Sequence, residues 1–188
     1  MPDTPLISAT RQWVIDNYPY NSYHLLKTLD WLDRIAPDAT EAMRLAALTH
    51  DMERAFPGPD QPIHHVVKGF DDQEYNDAHA ARSASIVGAW LREQGADETL
   101  VQEVERLIRF HEDGGLPEAN LVQAADSLSF LEVNVDLFLN MLRSGKRSAD
   151  EVKLKFDYTY ERIQVAHAKE LALPMFEQAL AALQAERT

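Results

Sequence analysis

Five helical apolar stripes in this chain each have a histidine or an aspartate set into them. Counting back from His50 in steps of three and four gives Ala47, Ala46 and Met43, and counting back from His111 gives Leu107, Val104 and Leu100. That spacing marks one face of an α-helix, and the apolar face of a helix turns inward. Asp126 is flanked at the same steps by Val122, Ser129, Phe130 and Val133. His79 leads into Ser83, Ile86 and Trp90, and His24 shares a turn with Leu25, Thr28 and Trp31. Burying such a polar group alone costs roughly 2–7 kcal/mol. These side chains therefore need one another or a shared cation.

The periodicity predicts an all-α chain. A first helix runs from about Ser8 to Asn17, carries Trp13 and Val14, and is expected to act as a lid or cap. Asn21 or Ser22 caps the next, to about Ile35, and Pro37 and Asp38 close it. The His50 helix spans about Thr40 to Arg54. Asn76 or Asp77 caps a helix to about Gln94, ended by Gly95; Asp97 starts one ending near Glu112, before Gly114 and Gly115. Pro117 or Glu118 opens the helix bearing Asp126. After the polar turn SGKRSAD, helices are expected at about Ala149 to Leu171 and Pro174 to Glu186, with apolar stripes suited to core or homodimer contacts. The segment 56–76, with Pro57, Gly58, Pro59 and Pro62, has no period and reads equally as a gate over a site or as a surface loop. His64 and His65 fall in it and read as solvated. His167 reads as structural or exposed.

The 188 residues, 45% of them hydrophobic, suffice for one helical domain, with a core at about 20–135 and accessory C-terminal helices at about 148–187. No cysteine is present, so disulfides and thiolate metal sites are excluded. No apolar stretch approaches a membrane span and no signal-like N-terminus is seen, so the expected setting is cytoplasmic, away from membranes. A formal charge of −13 argues against a nucleic-acid partner, which would need clustered Lys and Arg. A small phosphorylated substrate remains compatible, because divalent ions reverse the local potential.

His24, His50, Asp51, His79, His111 and Asp126 thus form a candidate metal set. Imidazole nitrogen and carboxylate oxygen accept Fe, Mn, Co, Ni, Zn or Mg, and the residues do not choose among them. Any one of these histidines alone is more simply a hydrogen-bonded core residue; the adjacent His50 and Asp51 and the four further inward positions together favour a metal. Arg54, one turn past His50, reads equally as an anion clamp or as a charge at a helix end. Arg82 and Lys27, three residues after His79 and His24, read equally as phosphate clamps or solvent-facing charges. Tyr158, Tyr160 and Arg162 could stack on a base, though packing is the simpler reading.

Taken in order, SYHLL (His24), LTHDMER (His50, Asp51), DAHAARSA (His79), RFHEDG (His111) and QAADSL (Asp126) resemble the HD-domain superfamily of metal-dependent phosphohydrolases over roughly residues 20–135. The resemblance implies that His24, His50, Asp51 and Asp126 bind one divalent ion. His79 and His111 would bind a second, with Asp51 bridging. A basic residue at Arg54, where many mononuclear members carry an acid, also fits the dinuclear branch, and Glu53 is out of register with that acid. The implied activity is hydrolysis of a nucleotide or other small phosphorylated metabolite through a metal-activated water, with Asp51, Arg54 and Arg82 as the candidate catalytic residues. The chain is also similar in length and pattern to the symmetrical diadenosine tetraphosphate hydrolases of that superfamily. It differs from them in carrying Glu112, Asp113 and Gly114 after His111 where they carry a Thr-Ser-Gly run. Two other readings stay open: a di-iron oxygenase with the same ligand set, and a non-catalytic metal- or ligand-binding domain.

Overall fold

The computed structural model describes residues 2–63, 70 and 72–186. In order these form α1 (Pro5–Asn17), α2 (Ser22–Ile35), α3 (Glu41–Thr49), a 3-10 turn (Met52–Ala55), α4 (Gln73–Glu93), α5 (Glu98–Arg109), α6 (Pro117–Val133), α7 (Val135–Arg143), α8 (Ala149–Glu161) and α9 (Ala166–Ala185). Among the described residues there is no strand, and no helix is long and apolar enough to cross a membrane.

Local chemistry sets most of the starts. Thr4, Thr40, Asp72, Asp97 and Ser148 each accept a backbone N–H from the first turn of the following helix, satisfying a donor that the helix leaves orphaned. Pro117 opens α6, where its missing N–H is not needed. Thus α4 begins at Gln73 behind Asp72, earlier than Asn76 or Asp77 suggested, because Asp72 supplies the cap.

The middle of the bundle is α3, packed against α1, α2, α5 and α6. Every residue of α3 after Glu41 is buried, and its alanines at 42, 46 and 47 let neighbours approach closely. The bundle continues with α6 lying along α2, α4 pairing with α5, and α8 and α9 covering the far side of α6. Arg44, 3% exposed, holds Asp33 through two hydrogen bonds of 2.9 and 3.0 Å and Asp3 through one of 2.7 Å. That tether fastens the N-terminal segment to α2 and α3.

Three expectations change. First, α1 is part of the core and no lid: Ile7, Thr10 and Val14 are fully buried, and Trp13 stacks on Trp90 at 4.6 Å. Second, the helix bearing His50 stops at Thr49 instead of Arg54. His50 caps it, Asp51 sits at φ −98°, ψ 7°, and the chain re-enters a 3-10 turn. This is the sparsely populated bridge region, common at functional positions. The α5 helix likewise ends at Arg109, short of Glu112, and leaves His111 in the turn that follows. Third, the C-terminal break lies between Glu161 and Ala166, and Pro174 lies inside α9. Pro174 and Glu170 are both exposed, so the carbonyl that loses its N–H partner is solvated.

Candidate metal centre

The same local device places two of the four histidines. His50 follows the end of α3 and His111 lies two residues past α5, and each donates Nδ1–H to the carbonyl three residues back: Ala47 O at 3.1 Å and Ile108 O at 2.7 Å. A carbonyl only accepts, so in the neutral ring Nε2 carries the lone pair. His79, on α4, donates Nδ1–H to Glu53 Oε1 at 3.0 Å. His24, on α2, has Nδ1 2.9 Å from Ser129 Oγ, whose own hydrogen goes to His24 O at 2.8 Å, so Nδ1 is again the donor. All four Nε2 atoms are therefore lone pairs, and the rings adjoin in series: His24 to His50 at 5.6 Å, His50 to His111 at 5.0 Å, His111 to His79 at 5.4 Å between centroids.

Carboxylates face these lone pairs. His24 Nε2 lies 3.0 Å and His50 Nε2 3.4 Å from Asp126 Oδ1; His79 Nε2 lies 3.1 Å from Asp51 Oδ1; His111 Nε2 lies 3.5 Å from Glu112 Oε1. Lone pair set against anion repels unless a cation or proton lies between. Nε2 of His50, His79 and His111 are buried and have no hydrogen-bond partner, a condition that buried polar atoms rarely tolerate. Three overlapping groups have ligand atoms close enough to hold a metal ion: His24, His50 and Asp126; His50, Asp51 and His111; and His79, His111 and Glu112. A histidine whose other nitrogen is fixed by a carbonyl or carboxylate has the form metal-binding imidazoles take. The donor set thus fits a hard or borderline divalent ion.

Two guanidiniums hold the carboxylates in place. Arg54 Nη1 donates to Asp51 Oδ2 at 2.8 Å, and Arg162 bonds both Asp126 Oδ2 and Glu112 Oε2. Burial alone would raise these acids; the Arg54 charge and His79 hold Asp51 well below the usual carboxylate range. Arg162 does the same for Asp126, with His50, and for Glu112, with His111. All three acids stay ionised, and against two guanidiniums they leave surplus negative charge beside four imidazoles.

A cavity of about 250 Å³ reaches this cluster, lined by His24, Asp51, Glu112 and Asp126 and by Arg54, Arg147, Lys155 and Arg162. The phenols of Tyr18, Tyr20, Tyr75 and Tyr158 and the apolar faces of Phe70, Phe130, Phe138 and Met141 complete its wall. Burial raises Tyr18, Tyr75 and Tyr158 above the ordinary phenol value, so each keeps its proton, and Tyr158 donates its own to Glu112 Oε2 at 3.2 Å. Burial and the Arg162 charge push Lys155 down to about 8.

All six residues predicted as ligands converge here, and Arg54 joins them. Arg82 does not: its guanidinium is held by Glu53 O, Phe56 O and Asp60, and it is absent from the cavity wall. Lys27 pairs with Glu132 at 3.1 Å instead. Phe56 O and Asp60 being tied to Arg82, that part of the 56–76 segment is anchored; His64 and His65 lie outside the described residues. His167 is exposed and bonds Ile35 O at 3.1 Å. Tyr160 stacks on Phe176 at 4.5 Å, as the packing reading expected.

Sequence reasoning missed Glu53, Glu112 and the role of Arg162. Glu53 lies outside a continuous helical register, but the break at Asp51 turns it inward, where its N–H is bonded by Ser83 Oγ at 3.0 Å. Glu112 had a signal, its adjacency to His111, parallel to Asp51 beside His50. Gly114 (φ +70°) and Gly115 (φ +92°) let the chain reverse just after it, and Gln123 holds Glu112 O at 2.6 Å. Arg162, 36 residues from Asp126, had no local signal.

A family model described as "Domain of unknown function (DUF4202)" matches residues 7–183 of this chain. No curated protein and no solved structure matches it.

Proposed function

From the premise that the chain belongs to the DUF4202 family, whose description states no activity, the chemistry has to come from the site, and we propose that this protein is a metal-dependent phosphohydrolase of the HD type acting on a small phosphorylated metabolite. One observation carries the reading. Four buried imidazoles aim lone pairs at three ionised carboxylates on the wall of a cavity that also presents four cationic side chains.

His24, His50 and Asp126 would hold one divalent ion, and His79, His111 and Glu112 a second; Asp51, near His50, His79 and His111, stands between the two groups. Bound divalent ions supply a lowered water pKa and neutralise charge on a phosphoryl group under attack. No protein nucleophile is required.

The chain's own residues do the rest. Arg54 and Arg162 each use only part of a five-donor guanidinium on carboxylates, so remaining N–H groups are available to phosphoryl oxygens at the cavity wall. Tyr18 and Tyr75 stay neutral beside Arg54 and offer O–H donors without adding negative charge. Glu53 and Ser129 fix the rings of His79 and His24, which keeps the ligand lone pairs aimed without a substrate present.

The test is phosphate release from a panel of phosphate esters and anhydrides, with Mn, Co, Ni or Mg added, under anaerobic and aerobic conditions. Metal-dependent, oxygen-independent release supports the reading. Turnover requiring oxygen and iron would replace it with an oxygenase, and no turnover by the metal-loaded protein would leave a binding domain.

A further inference from the structure

The four cations of the cavity divide into two kinds. Arg54 and Arg162 are bound to the carboxylates of the metal cluster. Lys155 is not: among the described residues no carboxylate lies within 4.0 Å of its Nζ, which instead stands 5.2 Å from the ring centre of Phe70, 5.1 Å from Phe130 and 5.2 Å from Tyr158. Arg147 also stands near the Phe70 ring, at 5.6 Å from its centre. Its Nη1 is buried without a hydrogen-bond partner, the nearest acid, Glu151 Oε1, being 3.6 Å away.

Two cations share one aromatic ring; among the described residues Lys155 has no carboxylate partner, and Arg147 has the ion pair with Glu151 at 3.6 Å. Aromatic faces attract a cation but do not replace a hydrogen-bond acceptor. Helical spacing explains the placement: Lys155 and Tyr158 on α8 and Arg162 at its C-cap recur at three and four residues and so share one face. One end of that face, Arg162, touches the metal cluster, and Tyr158 O–H reaches Glu112 Oε2 at 3.2 Å in between. The other end, Lys155, is set back from it. Phe130 and Phe138 line the cavity beside it and give that part of the wall an apolar surface.

We propose that Lys155 and Arg147 form a recognition site for a second anionic group of the substrate, so that the substrate class is a compact phosphate compound carrying a carboxylate or second phosphate at its opposite end. This inference rests on the phosphohydrolase reading and narrows it. A cavity of about 250 Å³ lies below the roughly 300–1,000 Å³ of sites that enclose drug-sized ligands, which fits a short skeleton and disfavours a dinucleotide. The depressed lysine agrees with the geometry, since an unmatched buried amine loses its proton more readily and a bound anion restores it.

The test uses the purified full chain with its own metal content, kept anaerobic, and phosphonates that cannot release phosphate. Calorimetry compares butylphosphonate, with one anionic end, with 4-phosphonobutanoate and propane-1,3-bisphosphonate, with two. Both two-ended probes are expected to bind about tenfold or more tighter, the yield of one charge-assisted hydrogen bond. Lys155→Gln and Arg147→Gln should each reduce the preference to about threefold or less, and Lys155→Arg should keep it. Preference for only one of the two-ended probes identifies the second group as carboxylate or as phosphate. No preference in the unaltered protein, no binding of any probe, or a preference untouched by both glutamine variants would overturn the site. Because Arg147 lies in the turn before α8 and Lys155 within it, a folding defect in one variant leaves the other to decide. Phosphate release from esters without this preference would overturn the second-anion site alone. The preference without phosphate release from any ester would overturn the phosphohydrolase reading alone.

Discussion

Glu53 Oε1 accepts the Nδ1 hydrogen of His79 at 3.0 Å, with both side chains essentially excluded from solvent. The bond ties a residue of the 3-10 turn to the second turn of α4, and Arg82 anchors the other carboxylate oxygen at 3.4 Å. It fixes the ring so that Nε2 points into the cluster, 3.1 Å from Asp51 Oδ1. Glu53→Gln should therefore leave the fold intact but weaken metal binding by about 10–100-fold, the usual effect of removing such a support. Chelator competition measures it; unchanged affinity would mean that His79 does not bind metal.

Arg162 joins Asp126 and Glu112, and all three are nearly excluded from solvent. Replacing it by Met strands two buried carboxylates, a loss of about 3–5 kcal/mol of stability. Divalent ions would neutralise those same carboxylates. Denaturation of Arg162→Met should thus show a large loss in chelator and a much smaller one with Mn or Zn added. Equal losses in both conditions would show that metal does not neutralise these acids.

Stability should depend on pH differently with and without metal. Burial lowers the imidazoles of His50 and His79, and for His79 Arg54 adds to it, but Asp126 and Asp51 more than offset this and both stand raised. A raised imidazole contributes stability that is fully present below its unfolded value near 6.5 and is lost as pH rises through the folded value. The chelated protein should weaken as pH climbs above about 6.5. Metal binding displaces those protons and strengthens over the same range, so the gap in Tm between metal-loaded and chelated protein should widen with pH. A constant gap would contradict it.

Arg44 tests the scaffold alone. It is 3% exposed and joins Asp33 and Asp3, none of which lines the cavity. Arg44→Ala should destabilise by about 3 kcal/mol, the partners being partly solvated, while metal content stays unchanged. Chemical denaturation and metal analysis on one sample read both.

Most of the helices and the convergence of the six candidate ligands were legible because one signal served for both: a His or Asp on an apolar face is at once an inward position and a candidate ligand. The centre's remaining groups fell outside that signal. Glu53 turns inward only because the chain leaves the helix at Asp51, and periodicity assumes that a helix continues. Arg82 sits on the expected helix but two carbonyls of the 3-10 turn and its exit take its donors, a tertiary contact invisible to spacing. Arg162 and Lys155 share a face of α8 whose partners, Asp126 and Phe130, lie far back in the sequence. Pro174 misplaced the last boundary because a solvated helix side tolerates the missing N–H.

The most direct measurement is the metal content of the purified protein beside that of Asp51→Ala, by mass spectrometry after exposure to Mn, Fe, Co, Ni and Zn. The account predicts one to two ions per chain in the unaltered protein, and loss of both metal and phosphate release in the variant. An unaltered chain that takes up no metal, or an Asp51→Ala chain that retains its full complement, would contradict it.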